Sequence, residues 1–335
     1  MKVQKINEDY HLRPDSVVLD KLPMGVYSLV NLDEPILRKV EAVDMPTKIY
    51  GDLTENSKRV CETFNAISSN LGVLLSGDKG GGKTLMTSHI AQYLKIPMIL
   101  ITGGIEPSKV ASTLNLIDQE ILVSFDEFDK FYPEHSKQDE FLSLFDGLVK
   151  SKKLYVLTSN TSNISTYLIN RLGRVRYHFT SEALKDSIIE EVIGDTLENK
   201  DKKVKLMDVL DILGTISFDN LIKFIEEVNL YNNETPTALA RNMNFFPEDA
   251  KYDYVLIYKG KRGVGSIYEH PLRSKVLKFW FKPDSNDSDK YQNYESAEFN
   301  IEKCTVFRIN GEINIEGEGN EITLRKSGDY KFQFK

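Results

Sequence analysis

The spacing of apolar positions changes character along the chain. Between residues 46 and 180, short apolar runs such as "GVLLSG", "ILVSF" and "KLYVLTSN" alternate with helical stretches such as "TLMTSHIAQYL". That alternation predicts an α/β region, a parallel sheet with helices on both faces. From 181 to 248 the period becomes helical. Ile188, Ile189, Val192 and Ile193 share one face, as do Leu221, Phe224, Ile225 and Val228. Ser181 and Ser217 are the expected N-caps there. From 249 to 335 the two-residue alternation of strands returns in "YDYVLIY", "KVLKFWF", "SAEFNIE" and "EITLRKSGDYKFQF", and Asn310-Gly311 marks a hairpin turn. Residues 1–45 carry shorter β-like pieces, "SVVLD", "GVYSLV" and "ILRKVEAV", punctuated by Pro14, Pro23 and Pro35. The expected organisation is therefore a small β-rich region at 1–45, the α/β core at 46–180, a helical subdomain at 181–248 and a β-rich domain at 249–335.

Composition narrows the class. The 335 residues are 41% hydrophobic, enough for packed cores, and length favours two or three domains. No apolar run approaches the roughly 20 residues needed to cross a bilayer, and the N-terminus lacks the apolar stretch of a signal peptide. The two cysteines, Cys61 and Cys304, lie far apart in sequence, which suits a reducing cytoplasm rather than a disulfide framework. A formal net charge of -7 speaks against the whole chain being an electrostatic nucleic-acid binder. The richness in lysine, asparagine and tyrosine suggests a phage or mobile-element origin.

The chemistry begins at Gly77. Gly77-Asp78-Lys79-Gly80-Gly81-Gly82-Lys83-Thr84 satisfies the phosphate-loop spacing, with an apolar strand before it and a helical run from Thr84 and Leu85 onward. Glycines let backbone N–H groups turn inward around phosphates, and the helix N-terminus adds partial positive charge. Lys83 would then contact the β- and γ-phosphates and the Thr84 hydroxyl would hold Mg²⁺. In "EILVSFDEFDK" an apolar strand ends on Asp126 and Glu127. Two acids at the end of a buried strand are costly unless a cation or water occupies them; Asp126 is the candidate Mg²⁺ ligand and Glu127 the group that polarises water. "KLYVLTSN" ends on Asn160, whose carboxamide could orient that water or the terminal phosphate. "YLINRLGRVRYHF" sets Arg171 and Arg174 three residues apart, where two guanidiniums could reach a phosphate on a neighbouring subunit.

Taken in this order, the four motifs resemble the AAA+ ATPases, and more narrowly their AAA clade, over residues 47 to 245. "FLSLFDGL" is similar to the helix after the second acid, "VLTSN" to the sensor-1 strand, and "LINRLGRVRYHF" to the arginine-finger segment. The resemblance implies a P-loop core with a helical lid, ATP and Mg²⁺ as cofactors, and a homo-oligomeric ring, commonly a hexamer, with fingers acting in trans. It also places Ile49, Tyr50 and Gly51 of "KIYGD" beside adenine. The chain departs from the pattern at three points. Leu172 replaces the usual proline between the fingers. Thr237 stands where a sensor-2 arginine often sits, with Arg241 the nearest substitute. No aromatic occurs from Leu94 to Ser124, where threading members carry a pore residue.

"FDKFYPEH" offers Phe128, Phe131 and Tyr132 either as a second pore loop or as packing against the adjacent helix. "YKGKRGVG" is either a basic hairpin touching phosphate or an ordinary turn, and at least one of Phe279, Trp280 and Phe281 must face away from the core unless a two-sheet sandwich covers both faces. The leading functional reading is a Mg-ATP-dependent remodeller of a specific protein client. The alternative is a nucleic-acid-associated motor or loader; a slowly cycling nucleotide-controlled scaffold is a third reading, which the intact Glu127 opposes.

Overall fold

The computed structural model describes residues 2–6, 9–13, 19–30, 36–147, 151–161, 163–181, 183–243, 250–282 and 294–327, with side chains from residue 19 onward. It divides into two compact units, Met1–Glu182 and Ala183–Lys335.

In the first unit, β1 (Lys2–Ile6) and β2 (Asp9–Arg13) form a separate antiparallel pair. The next elements are β3 (Val26–Val30), β4 (Ile36–Val40), α1 (Leu53–Ala66), β5 (Leu71–Gly77), α2 (Lys83–Leu94) and β6 (Met98–Ile101). They are followed by α3 (Pro107–Asn115), β7 (Ile121–Phe125), α4 (Phe128–Phe131), α5 (His135–Asp139) and α6 (Leu142–Phe145). The unit ends with β8 (Lys153–Ser159), α7 (Thr166–Ile169) and β9 (Tyr177–Ser181). A seven-stranded sheet runs β4-β3-β6-β7-β8-β5-β9. All its pairings are parallel except β3 with β4.

Its central strands β5, β6, β7 and β8 are buried over nearly their whole length because both faces are covered, whereas the edge strands β4 and β9 are partly exposed. On one face Leu71, Val73 and Leu75 of β5 join Leu122, Leu154 and Val156 beneath α1 and α2, with Val60, Phe64 and Ile90 packed against them. On the other, Leu74, Val123, Phe125, Tyr155 and Leu157 meet Val110, Leu114, Phe128, Phe141 and Phe145. The hairpin β3–β4, from the stretch expected to stand as a separate N-terminal region, belongs to this sheet. Its Val26 and Tyr27 pair with Met98 and Ile99 of β6, so alternating apolar residues there serve the α/β core. "SVVLD" lies mostly outside the described residues.

The second unit opens with helices α8 (Asp186–Thr196), α9 (Lys203–Leu213), α10 (Phe218–Leu230) and α11 (Pro236–Asn242). Of the faces read from the sequence, Ile189, Val192 and Ile193, then Leu221, Phe224, Ile225 and Val228 are buried, while Ile188 is half-buried. Ser217 caps α10 by accepting the Asn220 N–H. Ser181 is no cap. It ends β9, and α8 begins after Lys185.

Strands β10 (Tyr252–Tyr258), β11 (Lys261–Ile267), β12 (Val276–Phe281), β13 (Glu295–Asn300), β14 (Thr305–Ile309), β15 (Glu312–Gly317) and β16 (Asn320–Lys326) complete the unit. They form a five-stranded antiparallel sheet, β11-β10-β16-β15-β14, and the pair β12-β13. Asn310 and Gly311, at φ 53° and 84°, make the expected turn between β14 and β15. Phe279 and Phe281 are buried and Trp280 is 64% exposed, so the alternation predicted for "KFWF" holds. Phe281 lies where a side chain at residue 263 would go, since a Cβ on Gly263 would sit 2.1 Å from its ring.

Candidate active site

Strand β5 lies between β8 and β9, while the chain leaving it crosses to β6, three positions away in the sheet. Such a switch point opens a crevice at the carboxyl ends of the strands, where α/β sheets place ligands. The expected site residues at the ends of β5, β7 and β8 meet there.

The loop from Gly77 to Gly82 turns through left-handed glycine conformations, with φ 120° at Gly77, 78° at Gly80 and 80° at Gly82. It is backed by Ser181, whose hydroxyl donates to the Gly81 carbonyl at 3.2 Å. A Cβ on Gly81 would lie 2.0 Å from that hydroxyl, and one on Gly77 2.5 Å from the Ser181 carbonyl. The glycines therefore answer close approach by β9 as well as the turn itself. Helix α2 starts on Lys83 with Gly82 as N-cap and no side-chain cap, so its first N–H groups turn toward the loop. Thr84 is exposed and Leu85 half-buried at that end. Leu53, at the start of α1, lies 3.4 Å from where a Gly82 Cβ would be. It places the N-terminus of α1 beside the loop, directly after the half-buried Ile49 and Tyr50 and the left-handed Gly51.

The Lys83 ammonium joins the motifs. Its Nζ donates to the Gly77 carbonyl at 2.5 Å, the Asp78 carbonyl at 2.9 Å and Asn160 Oδ1 at 2.9 Å. Burial pushes its pKa down, against the pull of Asp78, Asp126, Asp129 and Glu127. Asp126 and Glu127 are tied to β8 through Thr158, whose hydroxyl donates to Asp126 Oδ1 at 2.8 Å and accepts the Glu127 N–H at 3.0 Å. Glu127 holds a left-handed backbone, φ 47°, the kind of strain that concentrates at working residues. Its carboxylate pairs closely with Lys130 and lies 3.7 Å from Lys79. The Lys130 hydrogen bond, with the charges of Lys130 and Lys79, holds it below the usual carboxylate range despite some burial.

Sequence reasoning missed Thr158, Asp129 and Ser181. Asp129 accepts the Thr161 hydroxyl at 2.7 Å and the Asn160 N–H at 3.4 Å, anchoring the loop that carries Asn160. The signal for it was present: an acid three residues beyond Asp126 that the helix turns inward, where it is buried.

The two arginines differ. Arg174 is 12% exposed in its side chain and grips Asp146 with two bonds, Nε to Oδ1 at 2.8 Å and Nη2 to Oδ2 at 2.7 Å, while Nη1 donates to the Tyr167 carbonyl at 2.9 Å. Arg171 is 66% exposed and stands 3.7 Å from Asp146. Arg174 is thus occupied within its own chain, and Arg171 projects to solvent.

Packing bears on three other expectations. Phe128 and Tyr132 are buried, in ring contact with Phe125 and Phe141, and Tyr132 Oη donates to the Ile105 carbonyl at 2.7 Å. They are core residues and do not furnish a pore loop. Gly263 and Gly265 of "YKGKRGVG" make room for Phe281 and Tyr254, and its cations Lys259, Lys261 and Arg262 are exposed, with Lys261 paired to Glu295. Arg241 is held by Glu302 and the Leu272 carbonyl, each at 3.3 Å, within the second unit.

The donor set fits magnesium. One carboxylate and one hydroxyl, Asp126 and Thr84, are hard oxygen ligands of the kind a magnesium that keeps phosphate and water oxygens accepts. Among the described residues no cluster of three acidic, histidine or cysteine side chains could hold a metal without such help. No helix there is long and apolar enough to cross a membrane.

A parallel sheet carrying a glycine loop after β5, a lysine at the head of the following helix and an acid pair at the end of β7, two strands away across β8, defines a P-loop nucleotide-binding core. Residues 73–182 match the model of the ATPase family associated with various cellular activities (AAA). The chain carries an AAA ATPase domain and is an ATPase. No curated protein matches it in sequence. Among solved structures it is similar to RuvB of Thermotoga maritima, described as a Holliday junction branch migration motor, at 16% identity and a TM-score of 0.42, over 60% of this chain and 71% of that one. Two point variants of the same RuvB align at 15% identity with a TM-score of 0.45, over 60% and 71% of the respective chains, and at 14% with 0.45, over 61% and 74%.

Proposed function

We propose that the chain is a Mg-ATP-dependent motor that works as a homo-oligomeric ring, a hexamer in the form expected here, and remodels a specific protein client. The observation that carries the catalytic part is the Lys83–Asn160 contact at 2.9 Å, which brings the ends of β5 and β8 to one point beside Asp126 and Glu127. Thr84 and Asp126 would hold the magnesium, which neutralises charge on the phosphates when bound. The backbone N–H groups of Gly80 to Lys83 bind phosphate oxygens, and Lys83 exchanges its carbonyl partners for them. Asn160 orients the attacking water and Glu127 takes its proton as the water oxygen bonds to the terminal phosphorus and the bond to the ADP oxygen breaks. Ile49, Tyr50 and Gly51 lie beside the base.

Arg171 serves as the finger on the neighbouring subunit's phosphate, supported by its exposure. Arg174 holds the finger loop in place through Asp146. The remodeller reading rests on the β-rich domain, whose exposed Trp280 offers an apolar contact. The test is ATP turnover by the full chain with magnesium. Lys83→Ala should abolish nucleotide binding, and Glu127→Gln should bind ATP and stall. Pull-down with the stalled variant, in ATP and in ADP, should retain a protein client only in ATP. Turnover undiminished in Glu127→Gln would overturn the assignment of the base, and identical capture in both nucleotides would overturn the motor reading.

A further inference from the structure

Glu127 sits between two lysines of different mobility. Lys130 is three residues away on the same helical turn and pairs with Oε2, so it travels with Glu127 wherever that residue goes. Lys79 comes from the glycine loop, with a side chain 79% exposed, and its Nζ stands 3.7 Å from Oε1. It is therefore the longer, more solvated and more replaceable of the two contacts. Its chain neighbours Asp78 and Gly80 are exposed as well, and Gly80 and Gly82 give the loop its freedom of φ. A terminal phosphate offers an ammonium more negative charge and more acceptor oxygens than one carboxylate that Lys130 already neutralises. Lys83 is already bound to two loop carbonyls and Asn160, and the β-phosphate it would reach is common to ATP and ADP.

We infer that Lys79 is the group that distinguishes triphosphate from diphosphate. Without nucleotide it pairs with Glu127; with ATP it moves to the terminal phosphate and leaves Oε1 open, while Lys130 keeps Oε2 in place. Lys79 is thus a specificity-determining residue for the ATPase reaction, and its exchange of partners links arrival of the terminal phosphate to release of the catalytic carboxylate. The inference rests on the loop being an ATP site.

The test measures equilibrium affinities of the full chain, with magnesium, for ADP and for the non-hydrolysable β,γ-imido analogue of ATP. Lys79→Met should weaken the analogue about tenfold, the size of one charge-assisted contact, and leave ADP nearly unchanged. Lys79→Arg should retain the preference. In a Glu127→Gln background, where no carboxylate competes for the ammonium, the analogue should bind more tightly and Lys79→Met should cost more than in the wild type. An unchanged ratio of the two affinities in Lys79→Met, or an equal loss for both nucleotides, overturns the inference. So does the same loss with and without Glu127→Gln. Lys83→Met separates this from the underlying reading: if the wild type binds nucleotide and Lys83→Met does not, the site stands and only the role of Lys79 is at issue. If the wild type binds neither nucleotide, both fall together.

Discussion

Arg171 and Arg174 lie three residues apart, yet their replacement by alanine should have opposite signatures. Arg174 makes three hydrogen bonds, two of them to the Asp146 carboxylate, with its side chain 12% exposed. Bonds to charged groups contribute about 1.5–3 kcal/mol when shielded. Asp146 is 39% exposed, and solvent screening cuts the ion-pair part sharply. A loss of about 2–3 kcal/mol is therefore expected for Arg174→Ala. Arg171, solvated and 3.7 Å from the same carboxylate, should cost no more than about 0.5 kcal/mol. Turnover should invert the ranking: Arg171→Ala should keep the fold and lose about a thousandfold in rate, the low end for a finger. Urea unfolding followed by far-ultraviolet circular dichroism gives the first quantity and steady-state ATP hydrolysis the second. Equal destabilisation by the two variants, or full turnover in Arg171→Ala, would refute this division of labour.

Other consequences concern packing. A Cβ on Gly72 would lie 1.9 Å from the Arg174 carbonyl, so Gly72→Ala should destabilise the fold and displace the finger loop; an unchanged melting temperature would contradict the close approach. Phe128→Ala should cost about 3–5 kcal/mol, as for a buried aromatic in a packed cluster, which denaturant unfolding would show; a cost near zero would return Phe128 to the surface. Lys153 is fully buried, its Nζ donating to the carbonyls of Ile117 and Gln119 and to Ser151 Oγ. Burial pushes its pKa from 10.5 down to about 8. Between those values the folded chain binds fewer protons than the unfolded one, so this group's contribution to stability rises with pH. The signed change in unfolding free energy from about pH 7 to about pH 10 should be more positive in the wild type than in Lys153→Met, and equal changes would contradict that sign.

Much of the site was legible because local spacing carries it. Gly77 to Thr84, Asp126-Glu127 and Asn160 each end a strand, and parallel strands with right-handed crossovers bring such ends together. What escaped were residues whose part depends on a neighbour distant in sequence. Ser181 read as a helix cap because a serine before a helical run usually is one, whereas its hydroxyl meets Gly81 across 100 residues. Arg174 reads as a finger candidate because charge is visible in sequence, whereas its partner Asp146, 28 residues upstream, is not. The N-terminal hairpin read as a separate region because strand pairing with β6 leaves no mark in local periodicity. The aromatics after Glu127 left two readings open; Phe128 and Tyr132 are buried in the core and Phe131 packs half-buried against it.

The central claim, an ATP site completed by a neighbouring subunit, is tested most directly by mixing Glu127→Gln with Arg171→Ala. Each variant alone should be inactive. Mixed rings hold some sites with Glu127 from one subunit and Arg171 from the next, so the mixture should regain ATP hydrolysis. A mixture as inactive as its components, in preparations that demonstrably exchange subunits, would contradict a shared site.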